Sequence, residues 1–334
     1  MVIHNNYTFQ NLFLVNNFMT WLLFLVNNHQ NEYMLAFRKI ELSDKQLIDS
    51  YLQGNNYRSS DLCFCNLYCW QEKFKTEFTT TPEWLLIRFR DNVDGNSYLL
   101  PIGKGDLKEA VNLLKQDSEK LGTRFQIRGL TQQMCNELQA VEPDRFTFNL
   151  NRSVSDYIYT SEKLIHLKGK KLQSKRNHIN RFTKENNWSY KSLTNNPDLV
   201  KECHRMLQQW MIDNAEDKDP SLVYDNIATK LMLENFEYFG LRGGVICVEG
   251  RMVAFSLGEP LTQDTFIVHV EKAMTENVHG AYAIINQQFV LHEAAEFTYI
   301  NREEDMGIES LRKAKLSYQP DILLEKFVAR EKEQ

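Results

Sequence analysis

A chain of 334 residues and 39.4 kDa has room for two domains of ordinary size or one large one, and it buries enough surface to need no staples. With 43% hydrophobic and 25% charged residues it is neither disordered nor fibrous. A net charge of −5 excludes wholesale coating of a polyanion and leaves room only for a local basic patch.

Residues 12–26 are apolar apart from Asn16, Asn17 and Thr20, short of the ~20 residues that a bilayer span needs. No lysine or arginine precedes Arg38, so no basic secretory leader is expected. Residues 1–33 therefore read as an extension ahead of the domains. The alternative is a membrane-surface helix with Leu14, Phe18, Trp21, Leu22 and Leu25 on one side. The cysteines Cys63, Cys65 and Cys69 form the one cluster among six. Without a second pair or a spaced histidine pair they read as small hydrophobes rather than a zinc site, and no metal is expected. Reduced thiols suit a cytoplasmic setting.

From residue 34 the pattern alternates. Residues 47–52 read as a helix, 84–89 and 97–102 as a hairpin around Asp94-Gly95, and Asp106 as the cap of a helix through Leu121. Strands follow at 125–127 and 145–150, with a helix capped by Thr131 between them. This first domain is expected over residues 34–165. In the second, over 166–330, helices are expected at 168–186, 197–213, 224–239, 280–294 and 307–317. Strands are expected at 245–248, 252–257, 266–270, 297–300 and 322–328, with a tight turn at Glu249-Gly250. The fold class is α/β (α+β), and the strand–helix order of the second half resembles a GNAT-type N-acyltransferase.

Two stretches carry chemistry. Residues 168–184 hold Lys168, Lys170, Lys171, Lys175, Arg176, Arg181 and Lys184 without an acid, so an anionic partner is inferred. Within that run Asn177 and His178 add directed hydrogen bonds. Residues 301–318 place Asn301, Arg302, Glu303, Glu304 and Asp305 between a strand end and a helix start, where α/β folds put ligands. Arg312, Lys315 and Tyr318 follow. Glu303 or Asp305 would take a proton from the acceptor, and Tyr318 would return one to the leaving group. Capping alone would explain Asp305. Gly280, Ala281 and Tyr282 sit at a helix start where backbone N–H groups hold a pyrophosphate, although Asn277 and Tyr282 depart from the usual GNAT pattern there.

Residues 168–182, Glu271-Lys-Ala273 and residues 301–320 together are similar to the signature of uncharacterised bacterial proteins grouped with the C-terminal catalytic domain of phosphatidylglycerol lysyltransferases. The resemblance spans residues 34–329. It implies two tandem GNAT folds, distantly related to peptidoglycan aminoacyltransferases that draw amino acids from charged tRNA. The expected activity is acyl or aminoacyl transfer to an amine or hydroxyl, with aminoacyl-tRNA or acyl-CoA as co-substrate and no tightly bound cofactor. The alternatives are an acetyl-CoA-dependent N-acetyltransferase, and a non-catalytic binder of RNA or an anionic membrane surface.

Overall fold

The computed structural model describes residues 35–91, 95–213, 220–274 and 278–332. The extension at residues 1–33, Asp94 of the expected turn and Asn277 lie outside them. The first half supplies β1 (Arg38–Lys39), β2 (Glu77–Thr80), β3 (Trp84–Asp91), β4 (Gly95–Tyr98), β5 (Ile102–Gly103), β6 (Gln126–Leu130) and β7 (Phe146–Leu150). Next come β8 (Asp156–Thr160), β9 (Trp188–Ser192), β10 (Arg242–Val248), β11 (Arg251–Pro260), β12 (Thr265–Ala273), β13 (Tyr299–Asn301), β14 (Ile322–Leu324) and β15 (Phe327–Glu331). One sheet runs β1-β2-β3-β4-β6-β15-β7, with β5 against β3. The other runs β14-β8-β13-β12-β11-β10-β9.

The buried run Trp84-Leu85-Leu86-Ile87 explains why β3 sits inside its sheet. Glu249 and Gly250 both take positive φ, the geometry a two-residue hairpin turn requires between β10 and β11. Asp106 caps the helix Leu107–Lys120 by accepting from the N–H groups of Lys108 and Glu109 at 2.8 and 3.2 Å. In the second half, the helix Ala281–Glu293 lays Ile284, Ile285, Phe289 and Val290 on the sheet against Tyr157, Tyr159 and Phe266.

Each sheet is antiparallel except at one inner junction. In the second, β12 and β13 run parallel only over Thr265–Ile267 and Tyr299–Asn301. Past Ile267 the two strands part, while β12 continues to Ala273 beside β11. In the first, β4 meets β6 in parallel at Tyr98 and Ile127.

The strands β2 and β9 have no counterpart among the expected elements, and the helix expected at 168–186 begins only at Gln173, so Lys168, Lys170 and Lys171 precede it. Four further departures concern the pairing and bounds of expected elements. The strand expected at 322–328 is two strands in different sheets, broken where Lys326 turns its ammonium onto Asp61 and the buried Asp156. The strand expected at 97–102 ends at Tyr98, and the chain resumes pairing as β5 only after Pro101, which has no N–H to donate. The helix expected at 224–239 divides at Asn235 into Pro220–Glu234 and Phe236–Phe239. The fourth concerns β8, which precedes the expected domain boundary between 165 and 166 yet belongs to the second sheet, while β15 returns to the first.

Candidate active site

Where β12 parts from β13 a cavity of about 960 Å³ opens, lined by Ile87, Leu99 and Gly129 from the first sheet and by Val268, His269 and Val270 from the second. The turn after β13 forms its polar wall. Asn301 is fully buried and organises this turn. Its Nδ2 donates to the Arg58 carbonyl at 2.8 Å and to Asp156 at 3.0 Å, and its Oδ1 accepts from the Glu303 N–H at 2.7 Å. Glu303 takes φ 55, a left-handed conformation that costs a non-glycine residue about 1–2 kcal/mol. The surroundings enforce it: the Tyr157 N–H donates to the Glu303 carbonyl at 3.1 Å, and Lys315 Nζ donates to the Arg302 and Glu304 carbonyls.

Glu303 Oε1 accepts from Asn66 Nδ2 and meets His269 Nδ1, each at 2.8 Å. His269 Nε2 lies 3.1 Å from Glu259. Burial disfavours the imidazolium, but Cys65 and then the hydrogen-bonding carboxylates of Glu259 and Glu303 outweigh it and hold the ring well above its usual pKa. Glu304 also lines the cavity. Burial pushes its carboxyl up to about 7, Lys326 opposing and the neighbouring charges of Glu303, Asp156 and Asp61 adding to the rise. That value suits a group that must accept a proton near neutral pH.

The cavity wall also carries Arg302, Lys175 and Tyr318. The Arg302 side chain is only 12% exposed, and its Nη2 donates to Glu271. Its buried Nε and Nη1 have no acceptor. Tyr318 covers the guanidinium at 4.8 Å, and Lys175 Nζ lies 4.3 Å from the same ring. Burial, then the nearby Arg302, lower the Lys175 pKa, and burial pushes the Tyr318 hydroxyl up to about 12. Two unused donors on a buried cation leave a site one acceptor group short.

Several expected site residues are elsewhere or otherwise employed. Asp305 is sealed: its side chain is 0% exposed and takes both Arg312 bonds (2.7 and 2.9 Å), Tyr157 (2.5 Å), Arg152 (3.3 Å) and the Gly307 N–H (2.9 Å). It is an anchor for the turn and not a base, and Arg312 is its counter-ion. Asn301 and Lys315 hold backbone, as above. Arg176 donates to the Leu167 and Gly169 carbonyls, Lys168 pairs with Glu162 and Arg181 with Glu185. Asn177 is exposed and does not line the cavity. Of the basic run only Lys175 and His178 reach the cavity wall. Gly280, Ala281 and Tyr282 do line it. Gly280 is required there, because a Cβ would meet the His178 carbonyl at 2.7 Å.

His269 and Glu271 are the residues that sequence reading left without a role. A histidine in an apolar strand has no local signal, and Glu271 appears only through the family signature. Glu304 was in view as one of three adjacent acids, but burial, which spacing does not report, is what distinguishes it.

Asp305→Asn is expected to destabilise the fold by about 1.5–3 kcal/mol by weakening the charged hydrogen bonds that Asp305 accepts, less than a fully buried pair would cost because Arg312 is itself a third exposed. Burial raises the Asp305 carboxyl, but its hydrogen bonds from Arg312, Tyr157 and Gly307 outweigh this and hold it at about 2. A depressed acid gives stability that is present above its unfolded pKa near 3.9 and lost as pH falls through about 2. Urea denaturation between pH 2 and 7 should show that limb in the native protein and lose it in the variant.

The chain matches the family described as "Phosphatidylglycerol lysyltransferase, C-terminal" over residues 55–330. A crystal structure of a conserved protein of unknown function from Bacteroides thetaiotaomicron is 40% identical, covers 90% of this chain and 100% of its own, and superposes with a TM-score of 0.83. The structure of L-PGS from Bacillus licheniformis shares the fold at 14% identity, over 87% of this chain and 93% of that one, with a TM-score of 0.59. An uncharacterised protein of Mycoplasmoides gallisepticum is 24% identical over 185 residues, so the match spans 54% of this chain and only 58% of that relative's length. Among the described residues, no helix is long and apolar enough to cross a membrane.

Proposed function

The chain belongs to the phosphatidylglycerol lysyltransferase C-terminal family, and from that membership we propose that it moves an acyl or aminoacyl group onto an amine or hydroxyl acceptor. The observation that carries the reading is the pairing, in one cavity, of a carboxyl poised near 7 with a buried guanidinium that has two unused donors. Glu304 takes the proton of the acceptor N–H or O–H as its lone pair attacks the acyl carbonyl. N–H groups of β12 beyond Ile267, where β13 has parted from it, receive the oxyanion. The bond to the donor oxygen or sulfur then breaks, and Tyr318 supplies a proton to that atom. Arg302 and Lys175 hold an anionic part of the donor or acceptor. Glu303 is a positioning residue, committed to His269 and Asn66.

An aminoacyl-tRNA donor is the first choice, following the resemblance to aminoacyltransferases. Purified protein incubated with labelled aminoacyl-tRNAs and acyl-CoAs and a panel of amine, hydroxyl and phospholipid acceptors tests it. Label should leave one donor for one acceptor class, and no transfer from any donor would overturn the reading. Acyl-CoA as donor is favoured by one observation, the helix start at Gly280–Tyr282 on the cavity wall. Coenzyme A at a hundred times its Kd should then add about 2.7 kcal/mol in a thermal shift.

Lys175→Gln is expected to raise the donor KM about tenfold or more, the worth of a charged hydrogen bond. Lys168→Gln with Arg181→Gln should leave KM unchanged, since those cations pair with their own acids at the surface.

A further inference from the structure

We propose that Cys63, Glu259 and His269 bind a single zinc-like divalent cation that pins the first half of the chain to the second sheet, behind the wall of the candidate active site. The three donors come from three separate elements. Cys63 immediately precedes the helix Phe64–Cys69, Glu259 lies near the end of β11, and His269 lies on β12. One ligand atom from each lies within 4.8 Å of the other two. All three are withdrawn from solvent: the His269 side chain is 0% exposed, Glu259 13% and Cys63 7%.

The backbone is built to bring the histidine there. Leu257 pairs with Val270 and Gly258 with Val268, so β12 carries one residue more than β11 at this step, and that residue is His269. Such a bulge re-aims a side chain that regular alternation would place elsewhere. Gly258 permits it, since a Cβ there would meet the Ile267 carbonyl at 2.2 Å.

The ring is also oriented as a metal ligand is. Glu303 holds Nδ1 at 2.8 Å, which leaves Nε2 as the nitrogen beside Glu259. A carboxylate on the far nitrogen is the usual outer partner of a metal-bound histidine, fixing both tautomer and direction. One sulfur, one nitrogen and one carboxylate oxygen select zinc over magnesium or calcium, which take oxygen ligands. The hydrogen bond that the thiol donates to the Ser60 carbonyl is a weak one, at 3.7 Å.

Cobalt(II) is the probe. Full-length protein, stripped with a chelator and titrated with cobalt, should develop a thiolate-to-cobalt charge-transfer band in the near ultraviolet and the intense visible bands of a four-coordinate ion, saturating at one equivalent. Zinc should displace the cobalt and raise the melting temperature of the stripped protein. The charge-transfer band should vanish in Cys63→Ser, weaken in Glu259→Gln and persist in Cys65→Ser. A faint six-coordinate spectrum in the wild-type protein would overturn the site outright, whether or not the variants fold. A band that follows Cys65 instead of Cys63 would overturn the assigned ligand set.

Discussion

Glu304→Gln should lower kcat by about 10²- to 10⁴-fold, the usual contribution of a general base, and should do so without loosening the fold. The pH dependence is the sharper readout. A base must be ionised to work, so the rate of the native enzyme should climb as pH rises through about 7, and the glutamine variant should lose that limb. Neighbouring charges set where the limb falls. Glu303→Gln removes a negative neighbour that raises the Glu304 pKa, so the limb should move to lower pH. Stability moves the other way from activity. A carboxyl whose folded pKa lies above its unfolded value near 4.3 costs stability once pH exceeds that value, and the cost grows until pH passes about 7. Urea denaturation at pH 8 should therefore find Glu304→Gln at least as stable as the native protein, which separates a chemical defect from a folding one.

Lys326→Met should be the most damaging single change for stability, at about 3–5 kcal/mol. The side chain is 1% exposed, and its Nζ lies 2.8 Å from Asp61, 2.9 Å from Asp156 and 3.0 Å from Ser60 Oγ. Asp156 is 0% exposed and is also held by the Ser60 N–H and Oγ, each at 2.8 Å, and by Asn301. Removing the ammonium strands that carboxylate in the interior. Adding Asp156→Asn should recover part of the loss, the mark of a coupled pair in a double-mutant cycle. Burial disfavours the Lys326 ammonium, but Asp156 and Asp61 outweigh it and raise its pKa. The stability it supplies is fully present below the unfolded lysine value near 10.4 and is lost only at more alkaline pH, so the effect of the substitution should be flat from pH 6 to 9.

The helices announced themselves by caps and apolar spacing, as at Asp106 and Thr131, and most strands by buried runs and turn residues. What local pattern did not carry was pairing. Nothing within residues 322–328 states that two adjacent strands serve different sheets, and β8 passed unnoticed because its apolar run is only Tyr157, Ile158 and Tyr159, between a buried Asp156 and Thr160. At the site the sequence exposed the right turn and named Arg302, Glu303, Lys175 and Tyr318, all of which line the cavity. It ranked Asp305 above Glu304 because helix-start spacing is visible in a sequence, whereas saturation by two arginines and a tyrosine is not. The basic run misled for a related reason: charge density is legible, but the acids that neutralise Lys168 and Arg181 and the carbonyls that occupy Arg176 are settled by the fold.

The place of β15 between β6 and β7 also sets an order of events in the cell. As the chain leaves the ribosome, β1 to β7 are complete long before their sheet is, because the strand that must fill the gap begins only at Phe327. At typical synthesis rates of 5–20 residues per second the edges of β6 and β7 stay open for roughly 10–40 s. Open edges recruit other strands, so newly made first halves in a crowded polysome are the species most exposed to mispairing. The first sheet therefore cannot close until β15 has emerged, which ties the folding of the first half to that of the second.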